Sequence, residues 1–370
     1  MPPASMTEPA KQELRGLSQR NIYIALAIGL VVSGFLIYRT FDYEAFTAIR
    51  WSNELLLFLG LSLLLMVIRH FLYMYRVWLV TGKQMRFRQA FESIVMWEFA
   101  SAATPGIVGG AAVAMFILNK EKISMGKSTG SVMLITFMDN LFFIVAAIVL
   151  FALVGLESMF AISEGCGEEM NLPILGYIGG IQYIFLLGIS FSALLSSLLV
   201  WGLLGNPRAL KLLLLNITKW KLFSRWREKA KEVGDDIIVT SKEFRGKKIG
   251  FWLRVFVVTT LAWSCKYLVV NALITAFGDV NAWDQVVIMS RMLVLWLVML
   301  IPLTPGSSGL AELTFLALMC SYVDAGLAGT ITFLWRMLTY YPYLILGALL
   351  MPRWLARVYN RKRKSRFSLK

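Results

Sequence analysis

Thr104-Pro105-Gly106-Ile107-Val108-Gly109 breaks an apolar region that runs from Ala90 to Leu118, and Thr304-Pro305-Gly306-Ser307-Ser308-Gly309 breaks a second one from Gln285 to Met319. Proline and glycine interrupt helices, because proline lacks an N–H and glycine adds backbone freedom. Each region therefore either crosses a bilayer once with a kink or enters and leaves on one side as a re-entrant hairpin. That choice decides the fold.

A bilayer is implied by composition. The chain is 58% hydrophobic and only 16% charged, whereas soluble domains carry about 25% charged residues. Apolar runs of about 18 residues or more are span candidates. Six occur, at Asn21–Tyr38, Leu55–Val80, Ser131–Gly155, Ile174–Leu204, Phe251–Phe277 and Leu327–Leu350. The net charge of +15 fits basic cytoplasmic loops and anionic head groups better than nucleic acid. The three cysteines are scattered, which argues against a disulfide framework, and the single histidine, His70, excludes a multi-histidine metal site. No cofactor is expected. Residues 1–20 are polar, and the first apolar run reads as a retained anchor.

Loop charges decide between kink and hairpin. If both broken regions cross, Lys120, Lys122 and Lys127 fall outside, Glu157, Glu164, Glu168 and Glu169 fall inside, and the basic connector after Gly205 falls outside. That breaks the positive-inside rule three times. If both are hairpins, Arg76–Arg88, Lys120–Lys127, the connector and the tail all lie inside. Asp42–Glu54, Glu157–Glu169, Asp279–Asp284 and Asp324 all lie outside. Residues 92–103 as helix also span only about 18 Å at 1.5 Å per residue, too short for a core of about 30 Å.

The expected fold is an all-α polytopic membrane protein with six transmembrane helices and two re-entrant helical hairpins in an inverted repeat. Its parts are a cytoplasmic segment (1–20), a first membrane half (21–204) with a hairpin at 90–119, and a basic amphipathic connector (205–249). A second membrane half (250–350) with a hairpin at 285–320 and a basic tail (351–370) follow. The repeat rests on matching residues. At an offset of 200, Thr104, Pro105, Gly106, Gly109, Ala111 and Leu118 meet Thr304, Pro305, Gly306, Gly309, Ala311 and Leu318, and Ile135-Thr136-Phe137 recurs as Ile331-Thr332-Phe333. Inverted repeats are a frequent architecture of secondary transporters. The plain alternative is a chance match of two broken segments.

Each motif supplies chemistry. Threonine caps a helix and proline tolerates its first turn, so each Thr-Pro-Gly is expected to begin a half-helix whose N–H groups face an anion. Charged residues inside apolar segments are functional candidates. They are Arg69, Lys266, Arg291 and Arg336, with Glu98, Asp139 and Glu312. Arg336 and Arg291 suit a phosphate, since guanidinium binds it bidentately. Glu312 and Asp139 suit a head-group amine, a proton or an ion. The alternative is that these residues pair with one another and only hold the bundle together. The connector, with Trp220, Phe223 and Trp226 among 12 Lys/Arg and 5 Asp/Glu, reads equally as a helix on the inner leaflet or a solvated linker. The tail, with eight Lys/Arg and no acid, reads as a disordered stop signal.

The repeated Thr-Pro-Gly-x-x-Gly, with Glu312 soon after the second copy and Arg336 in the last span, resembles the lysylphosphatidylglycerol synthase transmembrane family. This is the flippase-like membrane part of the multiple peptide resistance factor. The resemblance covers roughly residues 20 to 350. It implies movement of aminoacylated or other anionic phospholipids between leaflets, and carries over Thr104, Pro105, Gly106, Gly109, Thr304, Pro305, Gly306, Gly309, Glu312 and Arg336. Two departures stand out. No soluble transferase domain follows before Lys370. Ala112 also stands opposite Glu312, and Asp139 stands where an arginine is expected.

The expectation is a flippase for an anionic or aminoacylated phospholipid, or another phosphate-bearing lipid, in the cell (inner) membrane with both termini cytoplasmic. No enzymatic activity is expected. The expected partners are anionic phospholipids or another lipid phosphate and the bilayer, with no nucleic acid. A homo-oligomer or a lipid-modifying enzyme partner stays open. The competing readings are an accessory subunit that docks such an enzyme through the connector, and a membrane-embedded lipid-modifying enzyme. No Gly-x-x-x-x-Gly-Lys motif argues for ATP hydrolysis.

Overall fold

The computed structural model describes residues 34, 43–47, 49, 51–103, 107–161, 178–220, 224–300, 305–324 and 326–367. The expected first span and the cytoplasmic segment before it lie outside these residues, save Gly34. So do Thr104, Pro105, Gly106, Thr304, Cys166 and most of the acidic Glu157–Glu169 loop.

The described chain is helical, with no strand among the described residues. After a single turn at Tyr43–Thr47, α1 (Asn53–Val80) begins where the Ser52 hydroxyl accepts the Leu55 N–H. Two short helices follow, α2 (Phe87–Ala103) and α3 (Ile107–Lys120). The long α4 (Met125–Phe160) follows, broken at Gly155, where φ is 76°. Then come α5 (Ile178–Val200), extended by a π turn at Trp201–Gly205, α6 (Pro207–Ile217) and α7 (Arg227–Arg245). The second half holds α8 (Ile249–Phe277), α9 (Ala282–Val298), α10 (Leu310–Met319), α11 (Ala328–Thr339) and α12 (Tyr341–Phe367).

Five helical stretches are long and apolar enough to cross a membrane: 53–80, 125–160, 182–205, 249–277 and 328–354. Their surfaces fit lipid. α1 exposes Leu56, Leu57, Leu63 and Leu64, and α5 exposes Leu186, Leu187 and Leu194. Apolar faces of this extent are stable only against hydrocarbon or another protein. α8 is the central helix, with 61% of its apolar window buried against 17% for the 182–205 stretch. It carries Val255, Ala262, Tyr267 and Leu273 into the cores on both sides.

The two broken regions form two pairs of short helices. In the first pair, α2 and α3 approach closely because Gly110 faces Ser101; a Cβ there would lie 2.2 Å from the Ser101 hydroxyl. In the second, α9 packs on α10. The second motif differs from expectation. Pro305–Ser307 forms a 3-10 turn, and α10 starts later, at Leu310. Gly309 is its cap, and the Glu312 carboxylate accepts the Gly309 N–H at 2.7 Å. Thr304-Pro305-Gly306 therefore does not begin this helix. Gly306 and Gly309, at φ 60° and 90°, hold a left-handed backbone that suits glycine.

The last apolar run is two helices, broken at Tyr340 between α11 and α12. The tail also departs from expectation, because α12 continues helical to Phe367. Trp354 and Arg357 anchor it by donating to Glu121, whose side chain is fully buried. The connector is not a solvated linker. It folds into α6 and α7, which pack on each other, and α7 packs on α4. Ile237 and Phe244 are buried, and Lys127 pairs with Glu243 at 3.1 Å.

These contacts gather the basic segments at one end of the bundle. Gly82 lies beside Lys127 and Glu243, and Glu121 holds the tail. At the other end, Arg291 donates to the Ser158 and Leu318 carbonyls, and Gly278 approaches Tyr322.

Candidate functional site

A cavity of about 270 Å³ lies inside the bundle, walled by α1 to α5, α8, α9, α11 and α12 and by the second motif. Its walls are mostly apolar, yet Arg69, Arg76, Lys266 and Arg336 line it together with Glu98 and Asp139. Charged groups this deep persist only when paired or when they serve a ligand.

α1 delivers two of the cations. Arg69, Tyr73 and Arg76 are spaced i, i+4, i+7 and so share one helix face. The Tyr73 ring lies between the two guanidiniums, 4.3 Å from Arg69 and 4.5 Å from Arg76. Arg69 pairs with Glu98 of α2 at 3.0 Å and donates to the Tyr343 hydroxyl at 3.0 Å. Arg76 pairs with Asp139 of α4 and donates to Thr259 at 3.3 Å. The Trp263 indole N–H also donates to Asp139, at 2.8 Å.

α11 delivers Arg336, whose side chain is buried. Its Nε donates to Glu312 Oε1 at 2.8 Å, so Glu312 joins the α10 cap to the α11 guanidinium. Arg336 also lies 4.9 Å from the Trp335 and Tyr340 ring centres. Its Nη2 is buried without a hydrogen-bond partner. α8 delivers Lys266, whose ammonium lies 3.9 Å from the Trp296 ring centre and 4.9 Å from that of Trp263.

The two breaks meet at Tyr340. Its ring covers Gly306, where a Cβ would lie 2.3 Å from the hydroxyl, and its hydroxyl donates to the Ala102 carbonyl at 3.3 Å. Ala102 stands two residues before Thr104, and α2 packs on the 3-10 turn of the second motif.

The site residues expected from sequence therefore separate. Arg336, Asp139 and Gly306 line the cavity, and Glu312 and Gly309 stand behind Arg336. Gly109 lies in the first turn of α3 and Pro305 in the 3-10 turn. Arg291 is a correction. It is not on the cavity; its guanidinium instead donates to Ser158 O at 3.1 Å, Leu318 O at 2.6 Å and Ser321 Oγ at 3.3 Å. Asp139 and Glu312 are each held by a guanidinium, that of Arg76 and that of Arg336. Cysteine usage is corrected too. Cys320 is disulfide-bonded and Cys265 is free.

Arg76, expected in a cytoplasmic basic stretch, lies instead within α1, and its seven-residue spacing from Arg69 is the signal in the sequence that marks the shared face. Tyr73, Trp263, Trp296 and Tyr340 went unmarked, because aromatics in apolar helices are common and only packing shows which face a cation.

Comparison with known proteins follows this geometry. The family model of the lysylphosphatidylglycerol synthase TM region matches residues 22–347. A protein described as a UPF0104 membrane protein, from Archaeoglobus fulgidus, is 23% identical over 342 residues. That alignment covers 88% of this chain and 94% of the relative. No solved structure matches.

Proposed function

The chain belongs to the lysylphosphatidylglycerol synthase transmembrane family, and from that premise we propose that it moves an anionic phospholipid between the leaflets of the cell membrane. The observation that carries this reading is the intramembrane cavity with Arg336 at its wall. Arg336 is 2% exposed and has one N–H group still without a partner. Guanidinium in that state suits phosphate oxygens. Phe191 lines the same cavity and is also exposed on the lipid-facing side of α5. A head group can enter there while its acyl chains stay in the bilayer.

The charged ends support an orientation. The end that holds Lys127, the connector and α12 faces the cytoplasm under the positive-inside rule. The opposite end holds the Cys320 disulfide, which fits an oxidising compartment.

The test is lipid exchange in proteoliposomes, read with fluorescent phospholipids and an impermeant quencher. Wild-type protein is expected to make outer- and inner-leaflet anionic lipid exchange, and Arg336→Ala to abolish this while eluting as a folded species on gel filtration. Exchange by Arg336→Ala at the wild-type rate removes the site. Lack of exchange by the wild-type protein removes the transport reading.

A further inference from the structure

The cavity's charges do not cancel. Arg69, Arg76 and Arg336 each have a carboxylate partner, in Glu98, Asp139 and Glu312. Lys266 has none among the described residues, and only the Trp263 and Trp296 rings face its ammonium. Among the described residues, the site therefore holds one cationic side chain more than its ion pairs balance.

The spare hydrogen-bonding groups point the same way. Among the cavity-lining residues, Arg69 Nε, Arg76 Nε, Arg336 Nη2, Asn140 Nδ2, Trp296 Nε1, Trp335 Nε1 and the Tyr267 hydroxyl are buried without partners. Six of these can only donate, and a phenol can donate as well. No carboxylate oxygen of the lining is among them. A buried unmatched donor is costly, so the complementary ligand is rich in acceptors.

Most receptors for a ligand amine are already engaged. Every carboxylate of the site pairs with a guanidinium. Six of the lining rings, which could hold an ammonium, already face the protein's own cations: Tyr73 and Tyr343 face Arg69, Tyr73 also faces Arg76, Trp263 and Trp296 face Lys266, and Trp335 and Tyr340 face Arg336.

We propose that the cavity selects lipids whose head group carries one phosphodiester charge and no amine, with Lys266 and Arg336 as the ligands of that phosphodiester. Zwitterionic and aminoacylated head groups are disfavoured, because an ammonium would meet an excess of cations and donors, and the two lining carboxylates, Glu98 and Asp139, already pair with Arg69 and Arg76. This rests on the transport reading, and it narrows the substrate.

The experiment titrates the purified full-length protein in micelles with phosphatidylglycerol, phosphatidylethanolamine and lysyl-phosphatidylglycerol. The readout is the emission of the tryptophans, two of which flank Lys266. Phosphatidylglycerol is expected to bind saturably, and the two amine-bearing lipids at least about tenfold more weakly. Lys266→Met should lose at least about tenfold in phosphatidylglycerol affinity while Lys266→Arg keeps it. If the methionine variant does not fold, Lys266→Gln takes its place. Equal or tighter binding of lysyl-phosphatidylglycerol overturns the selectivity, as does unchanged affinity in the methionine or glutamine variant. The same lipids run in the leaflet-exchange assay separate the two ideas. Exchange of the aminoacylated lipid overturns the selectivity and leaves transport standing, whereas no binding and no exchange of any lipid overturns both.

Discussion

At the residue scale, Glu312 does two jobs with one carboxylate. Oε2 caps α10 through Gly309, and Oε1 holds the Arg336 guanidinium. Both side chains are buried, at 2% and 3% exposure. Removing the carboxylate leaves an uncompensated buried cation, which costs about 3–5 kcal/mol. Glu312→Ala is therefore expected to lower the denaturation midpoint in detergent sharply. The double variant Glu312→Leu/Arg336→Met should regain most of that stability, since buried pairs exchange for apolar groups at little cost, yet still fail in lipid exchange. Retained transport by the double variant would show that the pair is only structural. Tyr340 permits a smaller and separable test. Tyr340→Phe loses the hydrogen bond to Ala102, worth about 1 kcal/mol, and keeps the ring over Gly306. Gly306→Ala should cost more in a thermal melt, because its Cβ meets the Tyr340 ring on a left-handed backbone.

At the scale of elements, the helix breaks follow local rules with one exception. Asn281 and Asp284 form a reciprocal cap at the start of α9, and Asn281→Ala is expected to lower stability by about 1 kcal/mol. The exception is the second motif, where Pro305 is followed by a 3-10 turn and the helix waits for Gly309. A carboxylate three residues into a helix caps it well, and here Glu312 rather than Thr304 sets the start. The tail shows the same dependence on a distant partner. Glu121 accepts from Gln89 and Trp354, each at 2.8 Å, and from Arg357. Glu121→Ala leaves Gln89 and Trp354 unmatched at about 1–3 kcal/mol, and leaves Arg357 only its ion pair with Glu92 at 2.6 Å. Faster hydrogen exchange in peptides covering residues 351–367 is the expected result, with exchange in α8 unchanged.

At the scale of the whole molecule, the segregation of charge to opposite ends has a direct check. A single cysteine near Lys122 should react with an impermeant reagent only from the cytoplasmic side, and one near Gly326 only from outside. Reaction of the Lys122 site from outside would reverse the arrangement. Peptide mapping without reduction should find Cys320 in a disulfide and Cys265 free. A free Cys320 in protein taken from its native membrane would remove the oxidising-compartment argument.

The positions of the described spans, the two broken regions and the ends to which the basic segments go were legible in the sequence. Hydropathy, helix breakers and loop charge are properties of neighbouring residues along the chain. Charged residues inside apolar runs also announced Arg336, Glu312, Asp139 and Lys266. What they do there was not legible. Arg69 meets Glu98 across 29 positions, Arg76 meets Asp139 across 63, and Tyr340 reaches Ala102 across 238. Such pairings depend on which helix faces which, and packing decides that. Tertiary structure alone moved Arg291 to the carbonyls at the acidic end, turned the tail and connector into docked helices, and left Lys266 among tryptophans with no acid partner among the described residues. The physical reason is that desolvating a charge is costly, so each buried ion takes its role from whichever groups the fold brings within reach.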